Sequence, residues 1–163
     1  MVRFFIKEIL LCVKDLHDNG IVHLDIKCEN FLYRPNHKYP LILIDFGHAE
    51  VLPINVVKQF SGGSYGTVPY LCPEGYDGIY SSKSDVWSIG ICMHILATNL
   101  FPFDGEDSDE EYEYNARKYN LCLGDIFSKE SHEKDFLLKC LSFDMAYRPK
   151  IDTLLEHPFI TNV

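Results

Sequence analysis

The feature that most restricts the fold is a stretch of fifteen residues, 84–98, that is apolar on nearly every side. A helix on the surface of a domain needs a polar face, and this stretch has almost none. We therefore expect residues 84–98 to form a buried helix in the middle of a domain, with the other elements packed around it.

Regular patterns before this stretch predict one more helix and a pair of short strands. Apolar residues recur at helical spacing through residues 2–18, and Asn19-Gly20 is typical of a helix end. Two short apolar runs, residues 31–33 and 41–44, indicate strands, the second of them buried. The polar residues 21–30 between helix and strand predict a loop.

The segments on either side of the central stretch are less regular. Residues 48–83 are rich in glycine and proline and predict a long loop, and such loops inside compact domains are often functional. Amphipathic patterns predict two further helices over residues 132–142 and 149–157. Pro149 suits a first helical position, and Pro158 is expected to end the last helix.

Composition excludes several classes of function. The chain of 163 residues is 47% hydrophobic, which suffices for one compact domain. Its net charge of -9 argues against binding to nucleic acid or to an anionic membrane surface. The six cysteines are dispersed without a CxxC pair, which predicts reduced thiols and no zinc site. With neither a signal peptide nor a membrane span in the sequence, we expect a cytoplasmic or nuclear protein.

Four polar residues around the predicted strand pair form a pattern suited to phosphoryl transfer. Asp25, Lys27 and Asn30 share one polar loop, and Asp45 follows the buried strand fifteen residues after Asn30. Phosphoryl transfer needs a group that orients the attacking hydroxyl, a positive charge near the phosphate, and hard oxygen ligands for Mg²⁺. Asp25 can accept the hydroxyl proton, Lys27 can meet the phosphate, and Asn30 and Asp45 can hold magnesium.

These residues resemble two motifs of the eukaryotic protein kinases. The run from His23 to Asn30 is similar to the catalytic loop H-R-D-L-x-x-x-N, and the triplet from Asp45 to Gly47 matches D-F-G. Residues 66–74 resemble the end of the family's activation loop, with Cys72 where the family usually has alanine. Residues 84–90 resemble the start of its central helix. The resemblance runs from about Phe4 to Phe159.

The resemblance implies a role for several further residues. Leu32 would pack under the adenine ring of ATP, and Thr67 of the substrate loop would hydrogen-bond both Asp25 and Lys27. Five residues are expected to be structural, with Asp85 supporting the catalytic-loop backbone and Glu74 pairing with Arg148: His23, Phe46, Glu74, Asp85 and Arg148. Lys27 at its position and Gly66-Thr67 before Tyr70 imply serine/threonine specificity.

The resemblance covers only part of the kinase pattern. We find no glycine-rich loop and no lysine of the V-A-I-K type, which position the ATP phosphates in the family. We therefore expect residues 1–163 to form a partial kinase domain. It would be the mainly α-helical C-terminal lobe, with a short β pair at the catalytic loop and a long activation segment, and without the N-terminal lobe.

A second departure concerns regulation. Leu24 stands where most members have an arginine that grips a phosphate on the activation loop, and leucine cannot make a charge-assisted hydrogen bond. We therefore predict that phosphorylation of Ser61, Ser64 or Tyr65 is not needed to order this loop.

Two functions from different classes follow from the resemblance. The first is transfer of the ATP γ-phosphate, with Mg²⁺, to serine or threonine of protein substrates, where a separate N-lobe or a regulatory protein could be a further partner. The alternative is a catalytically inactive C-lobe that binds proteins. The overall pattern of residues 66–105 favours the calcium/calmodulin-dependent or AMP-activated groups of kinases.

Overall fold

The computed structural model describes residues 1–61, 65–105, 108–127 and 129–162, and it is predominantly helical. The α-helices of these residues are α1 Val2–Asp18, α2 Ser82–Thr98, α3 Asp109–Lys118, α4 His132–Cys140, α5 Ile151–Leu155 and α6 Pro158–Thr161. Short strands lie between α1 and α2: β1 Ile21–Val22, β2 Phe31–Tyr33, β3 Leu41–Leu43, β4 Glu50–Val51, β5 Lys58–Gln59 and β6 Ile79–Tyr80. Ser64 of the predicted phosphorylation sites lies outside the described residues.

Helix α2 forms the centre of the fold, as its composition predicts. Every residue from Ser84 to His94 is buried, and α1 and α4 pack against the helix. The helix begins at Ser82, two residues before the predicted start, because Ser81 caps it. The Ser81 hydroxyl accepts a hydrogen bond from the Lys83 amide, and the Ser84 hydroxyl accepts one from the Ser81 amide.

Helix α1 lies over the residues predicted for it. Its buried stripe of Ile6, Ile9, Leu10 and Val13 faces the core beside α2. The chain then turns through Gly20, whose φ of 69° is in the left-handed region that glycine adopts without strain. The end of the helix is therefore followed directly by β1 and then by the polar loop.

The strands pair into three small antiparallel sheets. β2 pairs with β3, with Leu32 opposite Ile42, which confirms the predicted strand pair. β1 pairs with β4, and β5 pairs with β6. The predictions of a plain loop over residues 21–30 and over 48–83 were therefore incomplete. Strands of two residues have no detectable periodicity, and their partners are distant in sequence.

The C-terminal helices differ in detail from the predicted ones. Helix α5 begins at Ile151, with Lys150 as its N-cap, so Pro149 precedes the helix. Pro158 does not end a helix but occupies the first position of α6, where the His157 side chain accepts a hydrogen bond from the Phe159 amide. Both proline predictions were wrong, because a proline that stops one helix can equally start the next.

Helix α3 begins in an acidic stretch of the chain. Ser108 caps α3, and Asp109 and Glu110 lie exposed in its first turn, where carboxylates interact favourably with the helix dipole. Glu106 and Asp107 of this stretch lie outside the described residues.

Two further findings concern the cysteines and the lengths of the helices. The six cysteines form no disulfide, and those at positions 72, 92 and 140 are buried. Among the described residues, no helix combines the length and the apolar character that a bilayer crossing requires.

Candidate active site

Asp25 is the most heavily hydrogen-bonded carboxylate of the polar loop. Its Oδ1 accepts hydrogen bonds from the Thr67 hydroxyl at 2.7 Å and the Thr67 amide at 3.0 Å. Its Oδ2 lies 2.9 Å from the Lys27 ammonium and 3.2 Å from the Asn30 amide nitrogen. Each carboxylate oxygen therefore has two donors, which uses its usual acceptor capacity.

The charge state of Asp25 follows from these contacts. Burial of the carboxyl would raise its pKa, but the hydrogen bonds from Thr67 and Lys27, the Lys27 charge and the Asn30 amide outweigh burial. The net result is a pKa below the usual range of an aspartate. Asp25 is therefore ionised at neutral pH, and it can accept a hydrogen bond from an incoming hydroxyl group once one of its present donors moves away.

The backbone around Asp25 is held by Asp85 of α2. Asp85 has no exposed surface, and its carboxylate accepts the amide hydrogens of His23 and Leu24, each at 2.9 Å. His17 lies 2.9 Å from the same carboxylate. Leu24 has a φ of 64°, which is unfavourable for a leucine, so these hydrogen bonds fix a strained turn directly before Asp25.

Asn30 and Asp45 carry side-chain oxygen atoms and lie on segments joined by a backbone hydrogen bond. The Asn30 amide group donates to the backbone oxygen and the carboxylate of Asp25, which leaves its side-chain oxygen available. The Ile44 amide donates to the Asn30 carbonyl at 2.9 Å, and this bond brings Asp45 beside Asn30. Asp45 is exposed, with one carboxylate oxygen bonded to the Gly47 amide. Hard oxygen donors of this kind suit Mg²⁺, with phosphate oxygens and water completing its shell.

The predicted substrate loop contacts the catalytic loop through Gly66 and Thr67. Lys27 donates to the Thr67 hydroxyl at 2.8 Å, so Thr67 contacts both Lys27 and Asp25, as expected. Gly66 has a φ of 107°, and a Cβ atom there would lie 2.4 Å from the carbonyl oxygen of Leu24. Only glycine lets the two loops approach this closely.

Leu32, predicted to pack under adenine, and His23 and Phe46, predicted to be structural, differ in exposure. Leu32 on β2 is 50% exposed, so its side chain is open to a ligand. His23 is fully buried, as expected of a core residue, and its Nε2 has no hydrogen-bond partner among the described residues. Phe46 meets His23 edge-on at 5.1 Å but is 49% exposed, so it is only half packed.

The Glu74–Arg148 pair lies beside α2, next to Trp87. Arg148 Nη2 donates to Glu74 Oε2 at 2.8 Å, and the guanidinium stacks on Trp87 at 4.9 Å from the ring centre. The Arg148 side chain is completely buried, and that of Glu74 is 14% exposed. These contacts join three segments and touch none of the four polar residues around Asp25.

The arrangement as a whole matches a known family. The family model of the protein kinase domain matches residues 1–160 of the 163. The chain belongs to the protein kinase family.

Named kinases are similar to this kinase chain along nearly its whole length. It is 35% identical to death-associated protein kinase dapk-1 of Caenorhabditis elegans over 96% of the chain. It is 35% identical to calcium-dependent protein kinase 6 of Plasmodium berghei over 93%, and 31% identical to calcium/calmodulin-dependent protein kinase cmkB of Emericella nidulans over 95%. The chain spans 11%, 10% and 39% of the lengths of these proteins, respectively.

These relatives confirm the predicted resemblance to calcium/calmodulin-dependent kinases. The resemblance to AMP-activated kinases stays a prediction. The family generally uses ATP and Mg²⁺, and the oxygen donors of Asn30 and Asp45 in this kinase chain fit a magnesium ion chemically.

Sequence reasoning missed two supporting contacts of the kinase site. His17, at the end of α1, contacts Asp85, and the Tyr70 hydroxyl donates to Glu29 at 3.0 Å. A signal for His17 existed, because an aspartate inside an apolar helix requires buried partners. No local pattern connects Tyr70 with Glu29, since the contact spans 41 residues.

Proposed function

We propose that this chain carries the catalytic and substrate loops of a protein kinase that transfers the γ-phosphate of ATP to serine or threonine of protein substrates. The observation that carries the proposal is the Asp25 carboxylate, which is ionised and held by Lys27, Asn30 and Thr67. A surface carboxylate would not require three side-chain partners drawn from two separate loops.

The residues would divide the work as follows. A substrate hydroxyl takes the place of Lys27 on Asp25 Oδ2 once the Lys27 ammonium turns to the transferred phosphate. Asp25 then orients the hydroxyl and accepts its proton. Because the pKa of Asp25 is lowered, the carboxylate is a weak base, and orientation is its larger contribution. ATP with Mg²⁺ supplies the phosphoryl group, and Asn30 and Asp45 would hold the metal.

Serine/threonine specificity is part of the proposal. The Thr67 hydroxyl lies between Lys27 and Asp25, at 2.8 Å and 2.7 Å, and occupies space directly beside the carboxylate. A short serine or threonine side chain reaches Asp25 only if its backbone comes close to this loop. A tyrosine substrate would hold its backbone several ångströms farther away, where Thr67 offers no contact.

We also propose that residues 1–163 act as the C-terminal lobe of the kinase domain. The apolar side chains of Leu32 and Phe46 are half exposed, as expected of surfaces that meet a nucleotide or another part of the protein. The remaining contacts to ATP would then come from a kinase N-lobe, in the same or a separate polypeptide.

The test is an acceptor assay on the full-length protein. It is incubated with Mg²⁺, ATP and an equimolar mixture of peptides that differ only in a serine, threonine or tyrosine acceptor, and mass spectrometry identifies the products. We expect phosphoserine and phosphothreonine, and no product after a chelator removes Mg²⁺. Phosphotyrosine alone would overturn the proposed specificity. The absence of any phosphopeptide would overturn the activity and favour the protein-binding alternative.

A further inference from the structure

Tyr80 is a buried tyrosine whose hydroxyl contacts the backbone of Tyr65, directly before Gly66 and Thr67. Its side chain has no exposed surface, and it lies outside the loops that contain Asp25 and Thr67. Its hydroxyl accepts a hydrogen bond from the Tyr65 amide and lies 3.2 Å from the Tyr65 carbonyl and 3.0 Å from the Gly75 carbonyl. One hydroxyl therefore connects the backbone of Tyr65 with the backbone of Gly75.

Aromatic packing reinforces this contact. The ring centre of Tyr80 lies 5.7 Å from that of Phe60 and 6.0 Å from that of Tyr65, and the Phe60 and Tyr65 centres are 5.0 Å apart. The backbone is paired as well, since Lys58 lies opposite Tyr80 in the β5–β6 sheet and the Phe60 amide donates to Gly78 at 2.9 Å. Residues on both sides of positions 62–64 are thus attached to the segment around Tyr80.

The contact at Tyr65 leads directly to the active site. Gly66 follows Tyr65 and packs against the Leu24 carbonyl, and Thr67 then donates two hydrogen bonds to Asp25. Two residues separate the Tyr80 contact from the catalytic carboxylate. A displacement of Tyr65 would therefore move Thr67 relative to Asp25.

The core cluster around Tyr80 is apolar, and the nearby Lys58, whose ammonium lies over the Phe60 ring at 4.3 Å, already pairs with Glu50 at 3.6 Å. Leu24 is buried together with Val22, Leu52, Leu71 and Tyr80 in one cluster. A phosphate group is not accommodated by such a cluster, because burial of an unpaired charge is costly. The contacts that hold Tyr65 beside this cluster are ring packing on Phe60 and Tyr80 and the hydrogen bonds to the Tyr80 hydroxyl.

We infer that Tyr80 is a positioning residue that holds Tyr65, Gly66 and Thr67 against Asp25, and that residues 65–67 are ordered in this way without phosphorylation. The regulatory part of this inference rests on the proposed kinase function. The structural part concerns the order of the segment and can be measured without any activity.

The test compares Tyr80→Phe with Tyr119→Phe in the full-length protein. Tyr80→Phe keeps the ring and removes the hydroxyl, whereas Tyr119 packs on Phe103 and Phe143, away from the segment. Hydrogen exchange at the amides of Tyr65 and Thr67 should become roughly 2- to 12-fold faster in Tyr80→Phe, the effect of losing one net hydrogen bond. In Tyr119→Phe it should not change. Turnover should fall in Tyr80→Phe while the KM for ATP stays the same.

Two results would overturn the inference. Unchanged exchange in Tyr80→Phe would show that the hydroxyl positions nothing. Faster exchange in wild-type protein whose Ser61, Ser64 and Tyr65 are unmodified by mass spectrometry, compared with phosphorylated protein, would show that phosphate orders the segment. If Tyr80→Phe does not fold, Phe60→Leu tests the same segment from its half-buried edge. If Tyr80→Phe exchanges faster at Tyr65 and Thr67 but the wild-type protein transfers no phosphate, the kinase proposal is refuted and the positioning role stays supported.

Discussion

At the scale of single residues, Asp25 has a lowered pKa although it is buried. Burial raises the pKa of a carboxyl, and here the donors Thr67, Lys27 and Asn30 reverse that effect. The usual pKa of aspartate is about 3.9. Since the folded value lies below it, the stabilisation is fully present above the unfolded pKa and is lost as the pH falls through the folded pKa.

The lowered pKa of Asp25 leads to a prediction for Lys27. Replacement Lys27→Met removes a hydrogen bond and a positive charge from Asp25, so the pKa of Asp25 should rise and the acid loss of stability should begin at higher pH. Titration of the Asp25 carboxyl carbon by NMR measures the shift. The control Lys129→Met changes an exposed lysine and should leave the pKa of Asp25 in place. A wild-type pKa at or above the usual value would contradict the prediction.

Gly66 gives a second prediction at this scale. An alanine there would combine an unfavourable φ of 107° with a contact of 2.4 Å to the Leu24 carbonyl. We expect Gly66→Ala to destabilise the local structure by about 1–3 kcal/mol and to separate Thr67 from Asp25. Hydrogen exchange at Thr67 and the rate of phosphoryl transfer measure both effects.

Gly20→Ala is the matched control. Gly20 has a φ of 69°, but its Cβ would be 3.9 Å from the nearest atom. This variant therefore carries the backbone strain without the clash. Equal effects of the two variants on Thr67 exchange would show that the close approach at Leu24 is unimportant.

The contacts among Asp25, Lys27, Asn30 and Thr67 could largely be predicted from the sequence. Each of these residues lies in a short motif that can be recognised from its immediate neighbours. Their hydrogen bonds agree with the expectation for Thr67. The contacts of Tyr80 could not be predicted in this way. A tyrosine next to a helix start has many possible partners, and only the folded chain brings it to Tyr65.

At the scale of elements, α2 links the core to the polar loop that contains Asp25. Its composition predicts its burial, but its first residues depend on capping rather than on apolar periodicity. Asp85, in the first turn, accepts the amides of His23 and Leu24, so the position of the helix start determines the position of the loop. The short strands β1, β4, β5 and β6 could not be predicted, because their stability comes from pairing between distant segments.

The cap of α2 can be tested directly. Ser81→Ala removes the hydroxyl that accepts the Lys83 amide, and such losses typically cost about 0.5–2 kcal/mol. Chemical denaturation of the full-length protein measures the change. Ser142→Ala removes a hydroxyl that donates to the Leu138 carbonyl within the same stretch of chain, and we expect a smaller effect. A Ser81→Ala variant as stable as wild type would mean that the cap contributes nothing.

At the scale of the whole molecule, the Glu74–Arg148 ion pair joins the segment that precedes β6 to the segment that precedes α5. Removing one partner of a buried pair leaves the other charge unpaired, which costs about 3–5 kcal/mol. We therefore expect Glu74→Gln to lower the free energy of unfolding by this amount. The expectation follows from burial, since the Arg148 side chain has no exposed surface.

An exposed ion pair provides the control for Glu74→Gln. Glu113 lies 2.7 Å from Arg117, and its side chain is 42% exposed. Exposed pairs contribute about 0–1 kcal/mol, so Glu113→Gln should have little effect on the unfolding curve. Similar unfolding free energies for the two variants would contradict a structural role for the buried pair.

The central claim is that phosphoryl transfer depends on Asp25, and the most direct measurement is the transfer rate of the full-length Asp25→Asn variant. With Mg²⁺ and ATP saturating, we predict a rate about 10²–10⁴-fold below wild type on a serine peptide. The control Asp125→Asn alters an exposed aspartate near the far end of α2 and should retain the wild-type rate. Transfer at the wild-type rate by Asp25→Asn would contradict the claim, because the reaction would then not use this carboxylate.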